Sequence, residues 1–249
     1  MFNKEKQEPN SVIIEIRAGT GGEEASLFAQ DLFKMYSKYG QSQGWTQKIL
    51  DSYQSELGGY KNITFELKNK DAWQHLQHEG GAHRVQRIPA TEKGGRIHTS
   101  TASVAVLPKA KQAQVEIRPQ DLKIESYKAS GPGGQYVNKR MTAIRITHLP
   151  TAIVVTSQTE RSLQQNKENA LAILGARILK KKQEALDKEI KGERRSQIGF
   201  AMRAEKIRTY NFPQNRITDH RIKKSWHNIE AIMNGKLAPV IKKLQKNLK

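Results

Sequence analysis

The chain has 249 residues, 36% hydrophobic and 27% charged, with 43 Lys and Arg against 24 Asp and Glu for a net charge of +19. That much positive charge repels itself in a compact state unless a polyanion balances it, so nucleic acid is the expected partner, with an anionic membrane surface as the rival. The absence of cysteine excludes disulfides and thiolate zinc sites. No apolar run approaches the ~20 residues that span a bilayer, and MFNKEKQEPNS lacks the apolar centre of a signal peptide. A cytoplasmic protein, or one of an organellar matrix, is therefore expected.

In chain order, VIIEIRA (12–18) predicts a strand and AGTGG (18–22) a turn. EEASLFAQDLFKMYSKYG (23–40) predicts a helix with acids in its first turn and Leu27, Phe28, Leu32, Met35 and Tyr36 on one side, stopped by Gly40. WTQKILDSYQ (45–54) and ITFELKNK (63–70) predict strands, and DAWQHLQHE (71–79) a short helix capped by Asp71. AHRVQRIPA (82–90) and HTSTASVAVLPK (98–109) alternate around the turn TEKGGRI, which predicts a hairpin. The basic stretch KAKQAQ (109–114) marks a linker.

Beyond it, VEIRP (115–119), LKIESYKA (122–129), AIRITHLP (143–150) and AIVVTSQ (152–158) predict a second, smaller sheet. A long helix follows over about 160–193, with Ser157 and Glu160 as a capping box and Leu163, Leu171, Leu174, Ile178 and Leu186 along one face. Residues 196–222 read as loop-rich and basic, and 228–245 as a last helix weakened near Gly235 and Pro239. From 191 to the end, 15 Lys and Arg stand against 4 Asp and Glu.

Three stretches carry possible chemistry. AGTGGEEA sits between a strand and a helix, like a dinucleotide fingerprint, but Glu24 occupies the third small-residue position and two carboxylates stand where a pyrophosphate would bind. An ordinary turn is as good a reading as a helix tip offering N–H groups and acids to a ligand. HRVQRIPATEKGGRIHTST (83–101) gathers Gln86, Thr91, His98 and Thr99 with several arginines around one hairpin. Amides, hydroxyls and imidazole read or stack on bases, and arginines hold phosphates; an exposed polar hairpin is the plainer reading. His75, His78, His83 and His98 have no zinc-ligand spacing, and no Ser-His-Asp set can be assigned. No metal or cofactor is expected.

YKASGPGGQYVNKR (127–140) is the third. Gly131, Gly133 and Gly134 permit backbone torsions and close approaches closed to other residues, Pro132 limits the freedom, and Lys128, Lys139, Arg140 and Arg145 surround Gln135 with charge. Such a loop could thread an RNA pocket and offer a main-chain N–H to a developing oxyanion. A flexible Gly-Pro connection is the alternative.

SGPGGQYVNK…AIRITHLPTAIVV…ERS…NK…AL resembles the Gly-Gly-Gln domain of the bacterial-type class I peptide chain release factors. HRVQRIPATEKGGRIHTSTASVAVLP resembles their codon-reading region, TYNFPQNRITDHRI their C-terminal segment, and VIIEIRAGTGGEEASLFAQDLFKMY the start of the reading domain. The blocks come in the family's order, from about Val12 to the end. The family's N-terminal helical domain has no counterpart here.

The resemblance implies an α+β fold with a two-body architecture: a codon-recognition domain (1–108, with 196–249 packing onto it), a linker (109–114), and a small mixed-sheet Gly-Gly-Gln domain with a long helix (115–195). It implies a factor that enters the ribosomal A site on a stop codon and promotes hydrolysis of peptidyl-tRNA at the peptidyl transferase centre, rather than a stand-alone enzyme. Its partners would be the ribosome (rRNA, the mRNA stop codon and the P-site peptidyl-tRNA).

Gly133, Gly134 and Gln135 would be the hydrolytic tripeptide, with Gln135 the target of a glutamine N5-methyltransferase. Pro89-Ala90-Thr91 matches the Pro-x-Thr of the release factor 1 branch, which implies reading of UAA and UAG. Gly21 and Glu24 would contact the first base, and Thr91 the first and second. His98 would stack at the second, and Gln86 and Thr99 would read the third. Tyr136 departs from the family, where histidine or asparagine commonly follows the glutamine. A codon-independent ribosome-rescue hydrolase and a plain RNA-binding protein remain as alternatives.

Overall fold

A computed structural model of the chain describes residues 10–89, 92, 94–109, 117–128, 141–198 and 205–248. The molecule divides into two compact units, one formed by 1–110 with 190–249 and the other by 111–189. Both helices and sheets are present in each, so the fold is α+β as expected.

The first unit is built on an eight-stranded sheet. Its strands are β1 (Ser11–Ala18), β2 (Thr46–Gln54), β3 (Tyr60–Lys68), β4 (Gly81–Arg87), β5 (His98–Pro108), β9 (Lys206–Asn211), β10 (Arg216–Asp219) and β11 (Lys224–His227), in the order β11-β10-β9-β4-β5-β1-β3-β2. Every neighbouring pair is antiparallel except β4 with β9. The period-2 pattern of β1 sends Val12, Ile14 and Ile16 to one face, where they are fully buried. Helix α1 (Glu23–Ser42) lays Phe28, Leu32, Met35 and Tyr36 into the same core, with Ile63, Phe65, Val104 and Val106 from the neighbouring strands. Leu27 is only half-buried.

Gly40 does not stop α1, which runs on to Ser42. Gly40 is there for packing: a β-carbon would lie 3.2 Å from Leu67 and 3.4 Å from Trp45. Helix α2 (Ala72–Leu76) is present, but Asp71 makes no side-chain cap. The opposite face of the sheet is held by ion pairs. Glu15 takes Arg17 and Arg194, and Glu66 takes Lys109 at 2.8 Å. Gln197 bonds both backbone groups of Val106 (2.9 and 2.8 Å), replacing a neighbouring strand where β4 has ended.

The stretch 196–222 departs most from expectation. It contains β9 and β10, not a loop-rich segment. The reason is a buried charge network. Arg208 on β9 makes a bidentate pair with Glu79 (2.6 and 2.8 Å) and reaches Asp219 on β10 at 3.2 Å, all three at most 1% exposed. Arg221 adds a 2.8 Å bond to Asp219 and donates to the His78 carbonyl at 2.7 Å. Burial alone would raise the Glu79 carboxyl, but the Arg208 guanidinium outweighs it and holds the group below the usual carboxylate range. The expected last helix is two, α4 (Ile229–Met233) and α5 (Ala238–Asn247). They are broken at Gly235, whose φ of 95° and close approach to Lys38 leave no room for a side chain.

In the second unit, β6 (Leu122–Tyr127), β7 (Ala143–His148) and β8 (Ile153–Ser157) form a sheet in the order β6-β7-β8. These three strands pair antiparallel, so the parallel pairing of this fold lies in the large sheet rather than the small one. The expected strand at 115–119 is not formed where the structure describes it: Pro119 opens a 3-10 turn to Asp121.

Helix α3 (Leu163–Ile198) buries Asn166, Ala170, Leu174 and Ile178, one residue per turn, with Ala170, Leu174 and Ile178 in one core with Ile144, Ile146 and Val155. Leu163 stays exposed. The helix begins three residues after Glu160, and no capping box forms. Instead the buried Asn166 amide accepts from the Ser157 hydroxyl and the Glu160 N–H (both 3.1 Å), and donates to the Thr142 and Glu160 carbonyls (both 2.9 Å).

His83 makes the first unit acid-sensitive. Its ring lies buried between the Tyr210 hydroxyl (3.2 Å) and the Glu79 carbonyl (3.0 Å), an arrangement that suits the neutral imidazole. Burial, then the nearby Arg208 charge, lower its pKa from 6.5 to about 4. Between these values the unfolded chain takes up a proton that the folded one refuses, so stability must fall as pH drops from 6.5 toward 4. The full span corresponds to on the order of 3 kcal/mol. Thermal melts across this range should decline, and His83→Gln, which cannot charge, should flatten the decline. An equally steep decline in that variant would show that His83 is not its source.

Candidate nucleic-acid interface

Among the described residues, Gly21, Glu24, Gln86, His98 and Thr99 collect at one end of the large sheet. The turn between β1 and α1 is fastened there to β5. The Gly19 N–H donates to the Thr101 carbonyl (2.8 Å), the Thr101 N–H to the Thr20 carbonyl (2.9 Å), and the Thr20 N–H to the Thr101 hydroxyl (3.0 Å). Gly21 has a φ of 139° and sits so close to Ser100 that a β-carbon would fall 2.2 Å from its hydroxyl. Only glycine allows the turn to close on the strand at this point.

Next to this turn, β4 and β5 bring their ends together. Gln86 is the register partner of Thr99, and Arg87 of His98. Arg87 is the post on which the neighbourhood hangs. Its Nε donates to Glu24 at 2.6 Å, its Nη1 to Asp31 at 2.7 Å, and its guanidinium lies 5.3 Å from the centre of the Phe212 ring. Burial would lower the Arg87 pKa, but Asp31 and Glu24 carry it above its ordinary value. The pairing uses one oxygen of Glu24. The other, Oε2, is buried with no hydrogen-bond partner among the described residues.

Between β4 and β5, Glu92, which the sequence reading did not select, gathers Gly94, Arg96 and His98. Its carboxylate accepts from the Gly94 N–H (2.7 Å), lies 2.6 Å from His98 Nε2 and 3.6 Å from Arg96. The His98 side chain is 45% exposed, leaving a ring surface open to solvent. Asn211 and Phe212 on the β9 side were also missed as site residues, because they lie in the stretch read as loop. Pro89 is buried. Ala90 and Thr91 lie outside the described residues, as do Gly133, Gly134 and Gln135 and the whole of 131–140.

Positive charge concentrates elsewhere on the same unit. Arg17, Lys191, Arg194 and Arg195 line a cavity of about 320 Å³ with Ser103 and Ile198. No described helix is long and apolar enough to cross a membrane.

Two family models match the chain, the PCRF domain over residues 1–104 and the RF-1 domain over 111–221. Peptide chain release factor 1 of Thermotoga maritima is 53% identical over 244 residues, covering 98% of this chain and 71% of the relative. That of Carboxydothermus hydrogenoformans is 53% identical over 241 residues, covering 97% and 67%. Among solved structures, RF2 of Thermus thermophilus matches with a TM-score of 0.59 and 34% identity over 97% of this chain and 69% of that one. With both domain types in sequence order and curated relatives this similar along nearly its whole length, the chain belongs to the peptide chain release factor family and acts in translation termination.

Proposed function

We propose that the first unit reads UAA and UAG in the ribosomal A site and that the second carries the Gly133-Gly134-Gln135 loop to the ester of the P-site peptidyl-tRNA. The observation that carries the reading is the convergence of Gln86, His98 and Thr99 at the joined ends of β4 and β5, beside the Gly21 turn and the Glu24 carboxylate held by Arg87. In this reading Glu24 supplies a carboxylate acceptor beside the edge, which suits a uracil N3–H, whereas cytosine offers an acceptor at the same place. Gly21 lets the turn approach the base closely, and His98 supplies a ring for stacking on the second base, where Thr91 bonds the adenine amino group. Gln86 and Thr99 together offer an amide and a rotatable hydroxyl, which suits a third position that admits two purines.

Hydrolysis in this reading is water attack on the ester carbonyl carbon. The Gln135 backbone N–H stabilises the oxyanion, the bond to the tRNA ribose oxygen breaks, and that oxygen takes up a proton. The Gln135 side chain helps to admit the water, and its amide nitrogen is the atom for N5-methylation by a glutamine methyltransferase. The flanking lysines and arginines neutralise rRNA phosphates. The protein is then a ribosome-dependent factor without chemistry of its own in free solution. A codon-independent rescue hydrolase would have no use for this reading edge.

The test is first-base discrimination. Glu24→Ala should lower kcat/KM for release on UAA by about tenfold to a hundredfold, the range for a hydrogen bond to a charged group. It should lower release on CAA much less, so discrimination of uridine over cytidine collapses. Arg87 keeps Asp31 in this variant. Undiminished discrimination would remove Glu24 from the reading site.

A further inference from the structure

We propose that Asn211 is a positioning residue that fixes which end of the Gln86 amide faces the codon, and thereby sets how well guanine is accepted at the third base. The inference rests on the third-base role given to Gln86 above.

The backbone N–H of Gln214 can only donate, and it meets the Asn211 side chain at 3.0 Å, so the atom it meets is the Asn211 oxygen. The other end of the Asn211 amide is therefore its NH2, which can only donate. That end faces the Gln86 side chain at 3.3 Å, so the Gln86 atom it meets is Oε1. Polarity passes from the Gln214 backbone through Asn211 to Gln86, and Gln86 is left with its Nε2–H2 as the end that Asn211 does not engage.

The backbone keeps this contact in place. Gln86 and Asn211 are register partners across the parallel β4–β9 pair, so their side chains stand side by side. The Phe212 N–H donates to the Gln86 carbonyl at 3.0 Å, and the Phe212 ring lies against Arg87. Both residues are half-buried.

The consequence follows from the purine edges. Adenine and guanine share the N7 acceptor but differ at C6, where adenine has an amino donor and guanine a carbonyl acceptor. A Gln86 held with its NH2 outward matches the guanine carbonyl. The adenine amino group then needs an acceptor from elsewhere, and the rotatable hydroxyl of Thr99, the register partner of Gln86 on β5, can supply it. In this division Asn211 commits the glutamine to guanine and leaves the threonine to serve both.

The test reverses the polarity. In Asn211→Asp the side chain still accepts from the Gln214 N–H but now presents an acceptor to Gln86, whose amide must turn to donate and expose Oε1. Release kinetics are measured on ribosomes programmed with UAA and with UAG. The ratio of kcat/KM on UAA to that on UAG should rise about tenfold, the discrimination carried by one mispaired hydrogen bond. In a Gln86→Leu background the same substitution should leave the ratio unmoved.

A ratio unchanged by Asn211→Asp, with release on both codons falling together, would make Asn211 a plain structural residue and overturn the proposal. So would a shift that persists without Gln86. Should Asn211→Asp fail to fold, Gln86→Glu reads the same polarity from the other end, since an acceptor-only side chain must raise the ratio. An unchanged ratio in that variant would equally overturn the proposal. If the unaltered protein releases on neither codon, it is the termination reading that fails; release on both with an unmoved ratio sinks this inference alone.

Discussion

Gln135→Pro will abolish peptide release while stop-codon-dependent ribosome binding persists. Proline has no backbone N–H, and in the proposed mechanism that N–H is the donor to the oxyanion. Loss of one such donor costs about 10²–10³-fold in rate in enzymes where it has been isolated. Gln135→Ala keeps the backbone donor and should be much milder, and Gly134→Ala should approach the proline variant because a β-carbon obstructs close approach of the main chain. The ordering separates a backbone mechanism from a side-chain one. Single-turnover release of a labelled peptide measures it, with binding followed separately on the same ribosomes. Normal release by Gln135→Pro would eliminate the backbone donor.

Arg208→Met will destabilise the first unit by about 3–5 kcal/mol, the cost of leaving buried charges without their partner. Glu79 and Asp219 are fully buried, and Arg208 is the group that joins them. Arg221 still reaches Asp219 in the variant, so the uncompensated charge is chiefly that of Glu79. Adding Glu79→Gln should therefore recover part of the loss. The effect should reach the reading edge, because Arg208 anchors the strand that ends in Asn211 and abuts Gln86. Urea unfolding of the single and double variants measures the coupling. A loss below about 1 kcal/mol would place the pair among those worth little net stability.

The contrast between β1 and β9 explains how much of the fold could be read from sequence. In β1 the buried face is Val12, Ile14 and Ile16, and simple alternation finds it. In β9 one of the inward groups is an arginine, and its partners lie at Glu79 and Asp219. A hydrophobic pattern has no means of recognising an inward guanidinium whose compensation comes from another part of the chain, so 196–222 reads as loop. Capping failed for a similar reason. Ser157 and Glu160 have the spacing of a capping box, but Asn166, buried in the helix that follows, takes both the Ser157 hydroxyl and the Glu160 N–H. Local chemistry gave way to a longer-range partner.

The site divides in the same way. The alternating hairpin placed Gln86, His98 and Thr99 near one another, and the glycine turn placed Gly21 and Glu24 at a helix start. Their suggested roles came from resemblance to a family rather than from spacing. Glu92 and Asn211 were not selected, and Arg87 stood only among the hairpin arginines expected to hold phosphates, although all three hold the others in position. Each acts through a partner that only the folded sheet brings near: Asp31 and Phe212 for Arg87, His98 for Glu92, Gln86 for Asn211. Arginine, glutamate and asparagine in polar stretches are too common for their type alone to mark them.

In the proposed function this chain converts recognition of particular stop codons into ester hydrolysis. Release of a labelled amino acid from ribosomes carrying UAA, UAG, UGA or a sense codon in the A site tests it most directly. Efficient release on UAA and UAG, weak release on UGA and background release on the sense codon are expected. Equal release on all four would contradict it and identify a codon-independent hydrolase, and release on UGA matching that on UAG would contradict the specificity assigned to the reading edge.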